Sequence, residues 1–96
     1  MAVERAVVMA CEDNVVTAIC DLPAGEMVRI SEEERVELRD PIAFGHKFAR
    51  TAIPKGTYIV KYGARIGRAT SNIRPGEHVH IHNVQDIVDE VRRDAR

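Results

Sequence analysis

The 96-residue chain is short of aromatic side chains: it has no tryptophan, two tyrosines and two phenylalanines. Valine, isoleucine, leucine and alanine must therefore fill the core. It also lacks an excess of either charge, and its formal net charge of −1 argues against the basic face that nucleic-acid binding requires. No run approaches the roughly 20 apolar residues of a membrane-spanning helix. These absences indicate one small globular domain without a nucleic-acid or membrane partner.

Cysteine is also scarce. Cys11 and Cys20 form no CxxC pair, so neither a cysteine metal site nor a redox motif is indicated. Residues 1–10 lack the basic segment and long apolar stretch of a secretory signal. We therefore expect a cytoplasmic protein with two reduced thiols, each acting as a small buried side chain.

Proline and glycine recur in one arrangement at three points. Each time an apolar residue is followed by a turn containing Pro and Gly and then by strand-like alternation. The three segments are residues 22–30, 53–61 and 73–81. Proline fixes φ and glycine allows a positive φ, so each segment predicts a tight turn that enters a new strand. Gly25, Gly56 and Gly76 are unevenly spaced, which indicates a recurring turn within one domain and not a solenoid.

Short segments rich in Val and Ile, or alternating in polarity, predict a mainly β fold. The predicted strands are residues 6–10, 14–19, 27–30, 35–39, 58–62 and 65–69. Between the third and fourth of these, Ser31 and Glu34 match a helical capping box. No helical apolar stripe follows them, so we favour a hairpin.

The periodicity changes to that of a helix near the C-terminus. Apolar residues fall at i, i+3, i+4 and i+7, namely Val84, Ile87, Val88 and Val91. Asn83 is a suitable helix N-cap. The sequence therefore predicts a β domain over residues 1–83 and an amphipathic helix over residues 84–96.

Three histidines alternate between Gly76 and Asn83. In a single strand, His78, His80 and His82 would share one face, while Val79 and Ile81 would point to the core. Side chains at i and i+2 are about 6–7 Å apart at their bases, but those at i and i+4 are about 13 Å apart. Three histidines on one straight strand therefore cannot all bind one ion.

A metal site would pair His80 with His78 or His82, and His46 is the candidate third ligand. No carboxylate or cysteine lies at ligand spacing, so we assign no metal ligand within this chain. The alternative for the histidines is a solvated polar strand face. Asn83 is either the helix cap or a site residue.

Lys47 lies between Phe44 and Phe48, which predicts a partly buried ammonium directed at an anion. For Lys61 we favour a side chain with its charged end in water. No Ser-His-Asp arrangement is recognisable, and the acidic run at residues 32–34 is typical of a solvated hairpin tip. The spacing indicates a binding face and not a complete catalytic set.

Several motifs between about Asp13 and Asn83 occur together in one known family. They are Gly45-His46-Lys47, Lys61-Tyr62-Gly63, Ile66-Gly67-Arg68-Ala69-Thr70 and Gly76-Glu77-His78-Val79-His80-Ile81-His82-Asn83. With them the chain resembles the N-terminal SAF (antifreeze-like) domain of the altronate/galactarate dehydratase family. Free-standing versions of this domain are small subunits of two-chain enzymes, including sulfolactate sulfo-lyases. The resemblance implies a β-clip fold.

The resemblance also implies a lyase that acts on an acidic substrate. A sugar acid such as altronate or galactarate would lose water, or sulfolactate would lose sulfite. It implies a divalent metal, iron or manganese, held by a large dehydratase subunit that serves as partner. The alternative is a non-catalytic module that binds an acidic sugar or a protein, and self-association into a homo-oligomer stays open.

The resemblance assigns roles to seven residues. The implied catalytic residues are His46, Lys47, His80 and His82. The implied substrate-binding residues are His78, Lys61 and Asn83.

Overall fold

The computed structural model describes residues 5–87, which form nine short strands and, within this range, no helix. In chain order the strands are β1 (Ala6–Val7), β2 (Val15–Ala18), β3 (Met27–Arg29), β4 (Arg35–Glu37), β5 (Lys47–Ala49), β6 (Tyr58–Lys61), β7 (Ala64–Ala69), β8 (His78–Val79) and β9 (Val84–Gln85). The prediction of a mainly β domain is confirmed.

The strands form three antiparallel sheets. The largest has the order β1-β2-β5-β8, β3 and β4 form a hairpin, and the third has the order β6-β7-β9. The hairpin favoured over a capping box at Ser31 is confirmed, with Val28 opposite Val36. In the large sheet, β5 pairs with β8, so that Lys47 lies opposite Val79 and Phe48 lies opposite His78.

The chain contains two equivalent halves whose corresponding residues are 31 positions apart. Leu22 and Ile42 form a bridge in the first half, as Ile53 and Ile73 do in the second. In both bridges the two N–H···O=C distances are 2.8 Å. Although the three turn glycines are unevenly spaced, the unit that contains them repeats after 31 residues.

A fourth turn of the same kind completes this symmetry. Gly45 has a φ of 83°, close to the 87° of its equivalent, Gly76. The N–H of Gly45 donates to the Ala18 carbonyl and that of Gly76 to the Ala49 carbonyl, both at 2.8 Å. This turn was not predicted from the sequence because no proline lies between Ile42 and Gly45.

Two apolar clusters form the core, one in each half. Six pairs of buried residues occupy equivalent places: Ala18 and Ala49, Leu22 and Ile53, Val28 and Ile59, Leu38 and Ala69, Ile42 and Ile73, and Phe48 and Val79. Since no tryptophan is present and Phe48 is the one fully buried aromatic residue among those described, aliphatic side chains supply most of the burial.

The helix predicted from Val84 does not begin there. Val84 and Gln85 form β9, which pairs with Ala69 and Arg68 of β7. Backbone pairing and the packing of Val84 against the second core cluster outweigh the helical periodicity at this point. Residues 88–96, which would form the rest of the predicted helix, lie outside the described residues.

Both cysteines are free, but Cys11 is exposed and Cys20 is half-buried. The prediction of two buried thiols is therefore wrong for Cys11. This residue lies in a turn, where its Sγ donates to Glu12 Oε2 at 2.9 Å. That hydrogen bond raises the pKa of the Cys11 thiol.

Asp13 is buried and connects the turn before β2 with the turn between β6 and β7. Its carboxylate accepts the backbone N–H of Gly63 at 2.8 Å and those of Tyr62 and Ala10 at 3.0 Å. Tyr62 and Gly63 have φ angles of 56° and 70°, as in the tight turns that join hairpin strands. Burial favours the protonated acid, but these N–H donors prevail and hold the pKa of Asp13 below its ordinary value.

Replacing Asp13 with asparagine should lower the free energy of unfolding at pH 7 by about 2–3 kcal/mol, because the amide turns an NH₂ group toward a backbone donor. A lowered carboxyl pKa stabilises the fold above the ordinary pKa and ceases to do so as the pH falls. The difference between wild type and Asp13→Asn should therefore shrink below about pH 4. Urea unfolding at pH 7 and pH 3 measures it, and a difference independent of pH would contradict this role.

Candidate functional site

Four histidines meet where β5 and β8 lie side by side. His46 directly precedes β5, and the Ala18 N–H donates to its carbonyl at 2.9 Å. His78 begins β8, and His80 and His82 follow one and three residues after its end. Because β5 pairs with β8, residues that are 32 positions apart in the chain become neighbours.

The strand predicted through all three alternating histidines ends at Val79. Val79 is fully buried as expected, but Ile81 is 84% exposed, so its predicted core position is wrong. The reason is a local turn, in which Asn83 Oδ1 accepts the His80 N–H at 2.9 Å and the Asn83 N–H donates to the His80 carbonyl at 3.1 Å. Asparagine commonly competes with strand pairing in this way.

The rings of His46, His78 and His80 form a compact cluster. The Nδ1 atom of His46 lies 2.9 Å from Nε2 of His78. The ring centroids are 5.1 Å apart for His46 and His78, 4.7 Å for His46 and His80, and 5.3 Å for His78 and His80. Each ring offers one nitrogen, and the three nitrogens lie within 4.8 Å of one another. The structure thus brings together the three residues that the sequence analysis would combine in a metal site.

His82 lies at the edge of this cluster. Its ring centroid is 5.4 Å from that of His78, with the planes tilted by 33°. The separation of about 13 Å expected for i and i+4 on a strand does not apply, because the chain turns back after Val79. His82 is exposed, and it does not belong to the group of three close nitrogens.

Burial and neighbouring imidazoles lower the pKa of two rings of this cluster, His78 and His80. Burial lowers the pKa of His78 most, and the nearby His46 and His82 rings lower it further. The pKa of His80 is also lowered, first by desolvation and then by His46 and Lys47. Near neutral pH these rings are therefore available to accept a proton or to bind a metal ion.

Lys47 is half-buried beside the histidines, as predicted. Burial lowers the pKa of its ammonium, and the positive charge of Lys61 lowers it further. Of the two flanking phenylalanines, Phe48 is fully buried but Phe44 is 66% exposed. Lys61 is itself half-buried, with its Nζ 5.5 Å from the centroid of the Tyr62 ring. The two ammonium groups make this face suited to an anion.

Asn83 is buried and positions the histidine backbone. Its Oδ1 accepts the His80 N–H at 2.9 Å, and its Nδ2 donates to the His78 carbonyl at 2.8 Å. It is not the cap of a helix beginning at Val84, because β9 begins there. One amide thus holds the two ends of the segment that carries His78 and His80.

Asp40 also contacts the histidine cluster, and it was not predicted from the sequence. Its Oδ2 accepts the His78 N–H at 2.9 Å, and its charge acts to raise the pKa of His78 against the larger lowering effects. The Asp40-Pro41 pair marks a turn in the sequence. Nothing in that pair alone indicates a contact with a residue 38 positions away.

His46, His78 and His80 are each partly exposed at the surface. Among the described residues, the large open groove, of about 840 Å³, lies elsewhere, between the β3–β4 hairpin and residues 50–52 and 74–75. No helix within residues 5–87 has the length and hydropathy needed to cross a membrane. The histidine cluster is a partly exposed surface site.

Comparison with known proteins identifies relatives of this chain. The sequence model of the family described as altronate/galactarate dehydratase SAF domain matches residues 4–87. The chain is 47% identical to altronate dehydratase of Escherichia coli (strain K12) over 73 residues, which are 76% of this chain and 14% of that protein. It is 37% identical to altronate dehydratase of Bacillus subtilis (strain 168) over 81 residues, 84% of this chain and 16% of that protein.

A third relative is of similar size. The chain is 36% identical to the (2R)-sulfolactate sulfo-lyase subunit alpha of Chromohalobacter salexigens over 85 residues, which are 82% of this chain and 90% of that subunit. The match thus spans a small part of the two altronate dehydratases but nearly all of the sulfo-lyase subunit. On the extent of the family match and these identities, the chain belongs to the altronate/galactarate dehydratase SAF domain family.

Proposed function

We propose that this chain is the small subunit, or a detached N-terminal domain, of a dehydratase-type lyase that acts on a sugar acid. In this proposal it forms one wall of the active site, and a large chain completes it. The observation that carries the proposal is the cluster of three partly exposed imidazoles beside the half-buried Lys47. Because these imidazoles and Lys47 are partly exposed, a second chain can pack over them and form the opposite wall of the active site.

The charges of this face fit an acidic substrate. In a dehydration of this kind, a 2,3-dihydroxy acid loses the proton at C2 and the hydroxyl at C3 and becomes a 2-keto-3-deoxy acid after tautomerisation. We place the substrate carboxylate against Lys47, with Lys61 adding a second positive charge. A charge-assisted hydrogen bond to an ammonium that is partly removed from water is stronger than one at the open surface.

The imidazoles suit the proton transfers. A general base must be neutral at the working pH, and the lowered pKa values of His78 and His80 keep these rings neutral near pH 7. His80 and His82 lie on the turn after β8, where an exposed face can meet the substrate. A divalent metal, iron or manganese, with ligands supplied by the partner chain would polarise the substrate oxygens.

Reconstitution with a large dehydratase chain tests this function. We expect the two chains to co-purify and to convert altronate or galactarate only when both are present. The matching uncharged sugar should not react, because it lacks the carboxylate that Lys47 binds. Full turnover by the large chain without this one would contradict the proposal and leave a non-catalytic module as the alternative.

A second candidate activity is the elimination of sulfite from sulfolactate. The coverage of 90% of the sulfo-lyase subunit alpha, against 14% of the altronate dehydratase of Escherichia coli, favours a free-standing subunit of this type. In both reactions the leaving group, water or sulfite, departs from the carbon β to a carboxylate. The face that carries Lys47 and the histidines can therefore serve either substrate. Including sulfolactate in the substrate panel distinguishes them.

A further inference from the structure

We propose that His46, His78 and His80 form a three-nitrogen binding site for a divalent transition metal on this chain itself. The catalytic use of that metal rests on the function proposed above, with the partner chain or substrate completing its ligands and the exposed His82, instead of the metal-bound rings, serving in proton transfer. Binding of the metal to this chain rests on the geometry of the cluster alone.

The spacing of the nitrogens is close to that of a metal site. Two imidazole nitrogens bound to one tetrahedral ion are about 3.3 Å apart, given metal–nitrogen distances of about 2.0–2.1 Å. His46 Nδ1 and His78 Nε2 are already 2.9 Å apart. All three ligand nitrogens lie within 4.8 Å of one another, so movements of up to about 1.5 Å bring them to the spacing of a metal site.

The backbone beneath the three rings is held from several sides, so ring rotation is enough. The His46 carbonyl is bonded to the Ala18 N–H at 2.9 Å. Asp40 accepts the His78 N–H, and Asn83 accepts the His80 N–H, each at 2.9 Å. Such supporting contacts reduce the entropy lost when a metal orders its ligands.

The donor set selects among metals. Imidazole nitrogens favour iron, cobalt, nickel, copper and zinc, whereas manganese and magnesium prefer oxygen ligands. The cluster contains three nitrogens and no carboxylate. We therefore expect affinity to rise from Mn²⁺ through Fe²⁺ to Co²⁺.

Three protein ligands leave coordination positions open. Because the cluster supplies no negative charge and Lys47 lies beside it, an anionic ligand should bind together with the metal. A 2-hydroxy acid such as glycolate, which offers a carboxylate and a hydroxyl, should therefore tighten Co²⁺ binding. By linkage, Co²⁺ must tighten glycolate binding by the same factor.

Titration of the untagged chain with Co²⁺, followed by its visible absorption and by calorimetry, tests the proposal. We expect one Co²⁺ per chain, with the spectrum of nitrogen coordination. Replacing His46, His78 or His80 with alanine should each weaken binding by about 10- to 100-fold or more. His82→Ala is the matched control and should retain the affinity for Co²⁺. The double variant Cys11→Ser/Cys20→Ser tests whether the thiols contribute ligands, and it should also retain the affinity.

Unfolding temperatures of the variants without metal show whether each has folded. If a folded His80→Ala chain binds Co²⁺ as tightly as the wild type, or if the wild type binds none, the proposal is overturned. In the second case an active reconstituted enzyme would still support the proposed lyase function, with its metal wholly on the large chain. Conversely, Co²⁺ binding that needs His46, His78 and His80 in a chain without lyase activity would support the metal site and remove the function.

Discussion

Replacing Lys47 with methionine in the reconstituted enzyme should lower kcat/KM for the acidic substrate by about 100-fold, which corresponds to about 2.7 kcal/mol of lost transition-state stabilisation. Methionine preserves most of the apolar stem of this β5 residue but removes the ammonium. The half-buried position of Lys47 makes its charge more effective than one at the open surface. Steady-state kinetics with saturating large chain measures the effect.

The chain contains one suitable lysine control. Lys55 lies in the exposed turn between Pro54 and Gly56, away from the four histidines in the sheet pairing. Lys55→Met should leave kcat/KM unchanged. Equal losses in Lys47→Met and Lys55→Met would indicate a general effect of net charge, and no loss in either would remove Lys47 from the substrate site.

Gly76→Ala should be the most destabilising single substitution, lowering the free energy of unfolding by about 4 kcal/mol or more. A Cβ atom at this position would overlap the carbonyl oxygen of Glu37, which is backbone and cannot rotate away. The Gly76 carbonyl also accepts the Arg39 N–H at 2.9 Å, so the two segments cannot separate without losing this bond. Urea unfolding of the purified chain measures the change.

The internal repeat supplies the control for this substitution. Gly45, the equivalent of Gly76, has nearly the same φ, but a Cβ there would contact nothing within 4 Å. Gly45→Ala should therefore cost only the conformational penalty of about 1–2 kcal/mol. Equal losses at the two positions would show that the positive φ, and not the contact with Glu37, governs Gly76.

Local signals predicted much of the fold. The β3–β4 hairpin and the β6–β7 hairpin have alternating strands joined by polar or glycine-containing turns, so neighbouring residues specify them. The turn at Gly45 was missed because its segment has the glycine without the proline. The predicted start of the helix at Val84 was wrong because a pattern of four apolar residues does not reveal that β7 is available as a pairing partner.

The candidate site was predicted in part. The alternation of His78 and His80 and the position of Lys47 beside Phe48 indicated a polar face, and both features are present. The exposure of Ile81 and the short distance between the His78 and His82 rings were not predicted. The reason is that the side-chain amide of Asn83 bonds the His80 backbone and interrupts the strand. Period-two geometry holds only while the chain stays extended.

The sequence by itself determined the kinds of chemistry this protein offers: imidazoles, ammonium groups and an aliphatic core, arranged on short strands with Pro-Gly turns. Only the tertiary structure decided which imidazoles meet. His46 and His78 are far apart in the chain and lie 2.9 Å apart because β5 pairs with β8. Hydrogen bonding between distant strands depends on the whole sheet, so no local pattern of residues contains it.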